Sequence, residues 1–543
     1  MRADFMSGRT IMTWLRYFLL GLLLVSPLTH ATENAAFERG VEQLKDRSFK
    51  IKAEGVDKIA ASGHPAAATV LGHLLEGELF FRKSDQRLVV ADKDGRSYQV
   101  KDALTAEDLG EIKKRELDKI SLNNRLRGQI RSAIAALNLS SPDANLRLAG
   151  VQQLLDKPDP DAVGVARRQL AKETDPAVAE AMRTVIALED IKAEDPALVL
   201  SAIEQLAGNL LPAARNGLAR LVQTSTDKQV KKTARAALSS IESKLQLNQL
   251  AETLFFGLSL GSVLVLAAIG LAITFGVMGV INMAHGELIM LGAYTTYIVQ
   301  LLMPQHIDLS LFVAVPAAFI VSGLVGIAIE RGVIRFLYGR PLETLLATFG
   351  ISLVLQQLVR TGISAQNVAV ENPGWMSGSL EVNAVLQLTY NRLYIIVFCL
   401  MVFVALLLVL KKTALGLQVR AVSQNRAMAR AMGVRSAWVD AMTFGLGSGI
   451  AGVAGVALSQ LTNVGPNLGQ SYIIDSFMVV VFGGVGNLWG TLVAGMSLGV
   501  ANKFMEPWAG AVLAKILVLV FIILFIQKRP RGLFPQKGRA AEG

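Results

Sequence analysis

The sequence predicts an all-α protein, a polytopic membrane helix bundle of about nine spans preceded by an exported, mainly helical domain with a small β hairpin. Three observations predict it. Of 543 residues, 52% are hydrophobic and only 18% charged, with a mean hydropathy of +0.43, whereas soluble chains carry roughly 25% charged residues. The charged residues crowd the first 250 positions and thin out until the last dozen, so two regions face different solvents. Apolar stretches then recur from Leu254 to Ile526, most of them near the roughly 20 residues that one crossing needs. The formal charge of +11 comes mostly from basic residues flanking apolar stretches, a topology signal rather than a nucleic-acid surface. One cysteine, Cys399, excludes an intrachain disulfide framework, and the five scattered histidines show no metal-ligand spacing.

Residues 1–31 read as a secretory signal. Arg2, Arg9 and Arg16 precede the apolar run Tyr17–Val25, and Pro27 leads to a small-residue site ending at Ala31. The run of nine residues is too short for an ordinary span; an uncleaved anchor is the alternative. Residues 32–250 are then expected outside the membrane.

Within 32–250, helix starts recur at Ser141-Pro142, Asp175-Pro176, Asp195-Pro196 and Thr226-Asp227. The first three fit an N-cap followed by Pro at the first helical position, and the fourth has the cap alone. Runs behind them, such as Ala177–Leu188, place apolar residues three and four apart. Short paired helices of this kind stack as a HEAT-like solenoid, although the spacing, 34 residues and then 20, is irregular. Earlier, Leu79–Phe81 and Leu88–Val90 precede Asp94-Gly95 and Ser97–Val100, which predicts a hairpin with a primed turn. His64 and His73 read as ordinary surface or helix residues, and no nucleophile–base constellation accompanies them. No catalytic residue, metal or resident cofactor is assigned.

Spans are expected near 253–277, 285–303, 309–330, 344–363, 392–410, 440–459, 471–485, 488–504 and 510–527, with 471–485 short enough to be re-entrant. Three loops are basic: 331–340 with three Arg, 411–435 with two Lys and four Arg, and 528–539 with two Lys and three Arg. Between 364 and 390 lie Glu371 and Glu381 and no basic residue. Basic loops stay cytoplasmic. An odd number of spans therefore precedes Arg331, two separate Arg340 from Lys411, and an even number follows; three, two and four satisfy this. The expectation is a multi-pass protein of the bacterial cytoplasmic membrane, with domain 32–250 outside, spans in 251–527, and the basic tail 528–543 inside.

The run Gly445–Gly455 contains a literal GxGxxG, Gly447–Gly452. A dinucleotide fold would need a preceding strand and a βαβ unit, whereas small residues in an apolar span let helices approach closely. No GxxxxGK[ST] loop occurs, so any ATPase is another polypeptide. Polar residues at membrane depth are costly and face a cavity or the bundle interior. Asn282, His285 and Glu287 punctuate the Gly-broken run Gly276–Leu288. They mark either a turn between spans, with Asn and His capping helix ends, or a pathway or gate built on an interrupted helix. His285 and Glu287 are two apart and point to different faces, which argues against a metal site. Asp475 and Asn487 flank the short stretch 471–485 and either line a cavity or anchor helix ends. The loop Lys411–Val434 has helical period: Val422, Met428, Ala429 and Met432 are available for an apolar stripe with Arg420, Arg426 and Arg430 around it. It suits a short amphipathic helix lying in a partner's groove, or attachment to anionic lipid headgroups.

With those residues in view, the segments "ITFGVMGVINMAHGELIMLGAY", "GLQVRAVSQNRAMARAMGV", "FGLGSGIAGVAGVAL" and "VVVFGGVGNLWGT" resemble the membrane permeases of branched-chain amino acid type ABC importers over about residues 250–535. The long N-terminal extension, "RPLETLLATFGISLVLQQLVR", "NPGWMSGSLEV", "NVGPNLGQSYIIDSFMVVV", "NKFMEPWAGAVLAKI" and "QKRPRGLFPQKGR" are similar to the urea ABC transporter permeases within that family. The resemblance implies a heterodimer with a second permease subunit, two separate ABC ATPase subunits, and a periplasmic urea-binding protein. It also implies an ATPase-coupling loop over Gly416 to Gly433, including Arg420, Gln424, Asn425, Arg426, Met428 and Arg430. Urea as substrate rests on the resemblance alone. The competing readings are a branched-chain amino acid permease, which usually lacks such an extension, and a passive urea channel, which has no need of a basic helical loop. A membrane-anchored receptor or scaffold is a third, against which nine polar-punctuated spans argue.

Overall fold

The computed structural model describes residues 35–94, 97–156 and 160–535. The expected signal at 1–31, the turn residue Gly95 and the end of the basic tail, 536–543, lie outside the described residues. The chain divides into two compact units, Met1–Lys244 and Leu245–Gly543.

In the first unit, helices α1 (35–43), α2 (Phe49–Ala61) and α3 (Ala67–Glu76) bury Phe37, Val56, Ile59, Leu71 and Leu74 in one core. The expected hairpin is only the centre of a larger element. Strands β1 (Leu79–Arg82), β2 (Leu88–Asp94), β3 (Ser97–Asp102), β4 (Asp108–Lys113) and β5 (Leu117–Lys119) form an antiparallel sheet in the order β4-β3-β2-β1-β5. A lone hairpin is marginal in water. Here Leu79 and Phe81 join the helical core, while Phe80, Val89 and Val100 fill the opposite face, as strand alternation requires. β4 and β5 carry mostly polar residues, so no hydrophobic period announces them; backbone pairing to β3 and β1 makes them strands.

Helices α4 (Asn124–Leu139), α5 (Ala144–Asp156), α6 (Pro160–Leu170), α7 (Pro176–Asp190), α8 (Pro196–Leu206) and α9 (Pro212–Thr224) follow. α4 packs on α5 and α6, and α7 on α5, α6, α8 and α9. Asp175 accepts from the N–H groups of Ala177 and Val178, and Asp195 from that of Ala197, each ahead of Pro at the first helical position. Asp227 accepts from Gln229 and Val230 without a Pro. The start at Ser141-Pro142 is displaced: α5 begins at Ala144, and the Asp143 carboxylate accepts from Asn145 at 2.9 Å. The Ser141 and Pro142 carbonyls are instead occupied by the Arg147 guanidinium at 3.0 and 2.9 Å.

The chain passes into the second unit within α10 (Lys228–Met278). α11 (His285–Leu302), α12 (Ile307–Gly332), α13 (Pro341–Gly362), α14 (Tyr390–Lys412), the short pair α15 (Ala414–Gln424) and α16 (Arg426–Ala431), then α17 (Ser436–Ser459), α18 (Leu468–Gly483) and α19 (Leu488–Lys528) follow. The nine apolar stretches fall on these helices, the last two within α19, which departs from helical geometry at Gly510, three residues after Pro507. Six helices among the described residues are long and apolar enough to cross a membrane; α11 and α18 fall outside that set, α18 being only 16 residues long. α17 is almost wholly buried and packs on α11 and α12. Its glycines make that possible: a Cβ on Gly452 would stand 2.5 Å from the Ala318 carbonyl, and one on Gly455 would collide with that of Ile289. The GxGxxG is therefore a packing surface.

Candidate functional site

α10 stops at Met278, Gly279 adopts a positive φ of 65°, and α11 starts at His285. The apolar run is thus broken across Gly279–Ala284, and Asn282, His285 and Glu287 are all buried beside the break. The Asn282 side-chain oxygen accepts from the Ala284 N–H at 3.0 Å, a local cap. His285 Nε2 lies 2.8 Å from the Ala267 carbonyl of α10. Glu287 points elsewhere, toward α13, where Ser352 and Gln356 donate to Oε1 at 2.9 and 2.7 Å. His285 and Glu287 thus serve different neighbours. Asn282 Nδ2, His285 Nδ1 and Glu287 Oε2 have no hydrogen-bond partner among the described residues, an expensive condition for buried polar atoms.

The α13 partners escape a reading that looks only for strongly polar residues. Thr344, Thr348, Ser352 and Gln356 are all buried, and Thr348 Oγ1 accepts from the Met283 N–H at 3.1 Å. Their spacing of four puts them on one helix face. That spacing inside an otherwise apolar span was the available signal.

Asp475 and Asn487 part company. Asp475 lines a cavity of about 270 Å³ and pairs with Lys515 at 3.0 Å. Asn487 is an N-cap: it accepts from Gly490 at 3.1 Å and donates to the Phe534 carbonyl at 3.2 Å.

The basic loop forms two helices. Thr413 caps α15 by accepting from Gly416, and Gly416 sits so close to Leu410 that a Cβ would collide with its carbonyl. Asn425 caps α16 by accepting from Met428 at 2.9 Å; Gly433, with φ 86°, ends the turn after it. The anticipated stripe divides. Val422 and Ala429 are buried with Val419 and Val439, whereas Met428 and Met432 are 60% and 78% exposed. The arginines are not an unengaged ring. Arg420 donates to the Leu410 carbonyl at 2.8 Å, Arg430 to Ser436 at 2.7 Å, and Arg426 holds the buried Asp440 with two bonds of 2.7 and 2.9 Å. Burial pulls the Arg426 pKa down, but the bonds to Asp440 outweigh it and hold it above the ordinary arginine value. Gln424 and Asn425 are exposed.

The second unit is thus a bundle of apolar helices with a break between α10 and α11, a buried polar face and an exposed two-helix loop. The chain belongs to the permease family of branched-chain amino acid transport systems, the membrane component of ABC importers: the family model described as "Branched-chain amino acid transport system / permease component" matches residues 253–526. It is similar to the high-affinity branched-chain amino acid transport system permease protein BraD of Pseudomonas aeruginosa, with 32% identity over 286 residues, 51% of this chain and 93% of the relative. It is also similar to the corresponding permease protein LivH of Escherichia coli, with 30% identity over 291 residues, 52% of this chain and 94% of the relative. A probable branched-chain amino acid transport permease protein LivH of Methanocaldococcus jannaschii is 25% identical over 311 residues, 53% of this chain and 95% of the relative. No solved structure matches. These relatives are transport permeases, not enzymes.

Proposed function

We propose that this chain is a permease subunit of an ABC importer for urea, in the bacterial cytoplasmic membrane. It pairs with a second permease subunit, is driven by two separate ABC ATPase subunits, and receives urea from a periplasmic binding protein. The observation that carries the reading is the buried polar face formed by Asn282 and Glu287 with Thr348, Ser352 and Gln356. Amide, hydroxyl and carboxyl groups inside an apolar bundle suit the passage of a small neutral solute with both donors and acceptors. Urea itself is supported by the likeness of the extension and of the long segments from 340 to 539 to the urea permeases. The loop from Gly416 to Gly433 is assigned to ATPase docking, with exposed Met428 and Met432 as its apolar contacts. Domain 32–250 is assigned to the outer face.

Branched-chain amino acid uptake is the second reading. The named relatives favour it, and so does the cavity at Asp475, whose lining holds both signs of charge, as a zwitterion would need. Uptake of labelled urea and labelled leucine, compared in cells with and without the gene, separates the two. Gene-dependent entry of urea and not leucine is expected; entry of leucine alone overturns the urea reading.

A further inference from the structure

We propose that the cavity lined by α10, α14, α18, α19 and the segment after α17 is a binding vestibule for a small solute that presents a carbonyl or carboxylate oxygen beside N–H donors; this deepens the transport reading above and rests on it. The cavity, about 270 Å³, is lined by Arg392, Asp475, Asn502, Lys503, Glu506 and Lys515 among apolar residues. Charged side chains within apolar helices are costly and mark water-filled pathways. Four of the five charges are paired: Lys515 with Asp475 at 3.0 Å, and Lys503 with Glu506 at 2.5 Å. The fifth is not. The Arg392 guanidinium lies over the Phe256 ring at 4.7 Å, and Glu506, already bound by Lys503, attracts it from beyond hydrogen-bond and ion-pair distance. Three cations against two carboxylates leave one net positive charge, carried by a group with five N–H donors and a planar shape suited to oxygen acceptors. Each carboxylate, holding a single ammonium, retains lone pairs for the N–H groups of a solute. Asn502 adds a second unsatisfied group: it is 8% exposed, and its Oδ1 has no partner among the described residues.

Urea and an amino acid both place an acceptor oxygen next to N–H donors, so the two sources are separated by experiment. In cells expressing the full transporter, initial rates of labelled urea and labelled leucine uptake are measured for the wild type, Arg392→Gln and Arg392→Lys. For whichever solute the wild type carries, Arg392→Gln is expected to raise KM at least fivefold with Vmax within twofold, and Arg392→Lys to raise it less. A second arm needs no transport. Cys399 is fully buried, so Thr462→Cys, on the cavity wall, supplies one reactive thiol in this chain. Its labelling by a membrane-impermeant maleimide is expected to slow at least threefold in saturating urea or leucine. Unchanged KM in Arg392→Gln together with unprotected labelling overturns the vestibule. Wild-type cells that carry neither solute overturn the transport reading instead, and the labelling arm still decides the cavity.

Discussion

Arg147 and Glu173 show how single side chains hold the helical unit together. Arg147 Nε and Nη2 each meet a Glu173 carboxylate oxygen at 2.7 Å, and the remaining guanidinium nitrogen ties down the Ser141 and Pro142 carbonyls. Glu173 Oε1 also accepts from the Thr174 and Asp175 N–H groups, so one carboxylate links the entry to α5 with the cap of α7. The Arg147 bonds, joined by those backbone donors, hold the Glu173 pKa down at about 2, against an ordinary value of 4.5. A depressed carboxyl pKa stabilises the fold above the unfolded-state pKa, and the contribution is lost as pH falls toward the folded-state value. With solvent screening of the pair, the contribution is on the order of 1 kcal/mol. Glu173→Gln is therefore expected to lower the thermal stability of the first unit most at about pH 5 and above. The gap to the wild type should shrink between about pH 4.5 and pH 2. Thermal unfolding of the purified protein across that range checks it, and a gap as wide at pH 3 as at pH 7 would contradict the assignment.

At the scale of elements, the basic loop shows why helical period alone does not tell which neighbour a face meets. The period of α15 and α16 is plain in the residues, and so are the caps Thr413 and Asn425. Val422 and Ala429 nevertheless face α17 residue Val439, while Met428 and Met432 face away, because two short helices joined at Asn425 present different faces. Substitutions should split accordingly. Val422→Glu would bury a carboxylate in this chain's own core and reduce its abundance. Met428→Glu leaves the isolated chain intact, since Met428 is exposed. It would cost about 2 kcal/mol in a docked, desolvated pocket, roughly a thirtyfold loss of bound ATPase. Lipid attachment predicts instead that Arg420→Gln and Arg430→Gln weaken the loop more. Arg426→Gln is a poor probe of either, because it strands the buried Asp440. Co-purification of the ATPase at matched expression ranks the variants, and full retention in Met428→Glu would remove the docking assignment.

For the whole molecule, the strongest expectation concerns sidedness. The basic segment 331–340 joins α12 to α13, that at 411–435 joins α14 to α17 through α15 and α16, and the acidic segment 364–390 joins α13 to α14. That segment is held in place by neighbours: Asp308 accepts from the Gly374 N–H at 2.6 Å, Gln300 exchanges bonds with Glu371, and Val368 pairs with Val464. Alkaline phosphatase fused after Gln246 should be active and, fused after Gly538, inactive. Equal activity at both positions would sink the proposed orientation.

The residues alone were enough to place the polar break at Asn282–Glu287, the helix caps at Asp175 and Asp195, the apolar stretches, and the small-residue face of α17. Each of these is a local property, set by backbone donors within one turn or by the periodicity of one helix. Only the tertiary structure decided the rest. It extended a hairpin into five strands, because the polar edge strands are made by pairing and not by their own pattern. It gave Glu287 its α13 partners, 65 and 69 residues away in the chain. It separated Asp475 from Asn487, sending one to a cavity wall and the other to a helix cap. Contacts between distant segments leave no period in a single sequence, and the place of Arg392 in the cavity becomes visible only when α10, α14, α18 and α19 enclose it.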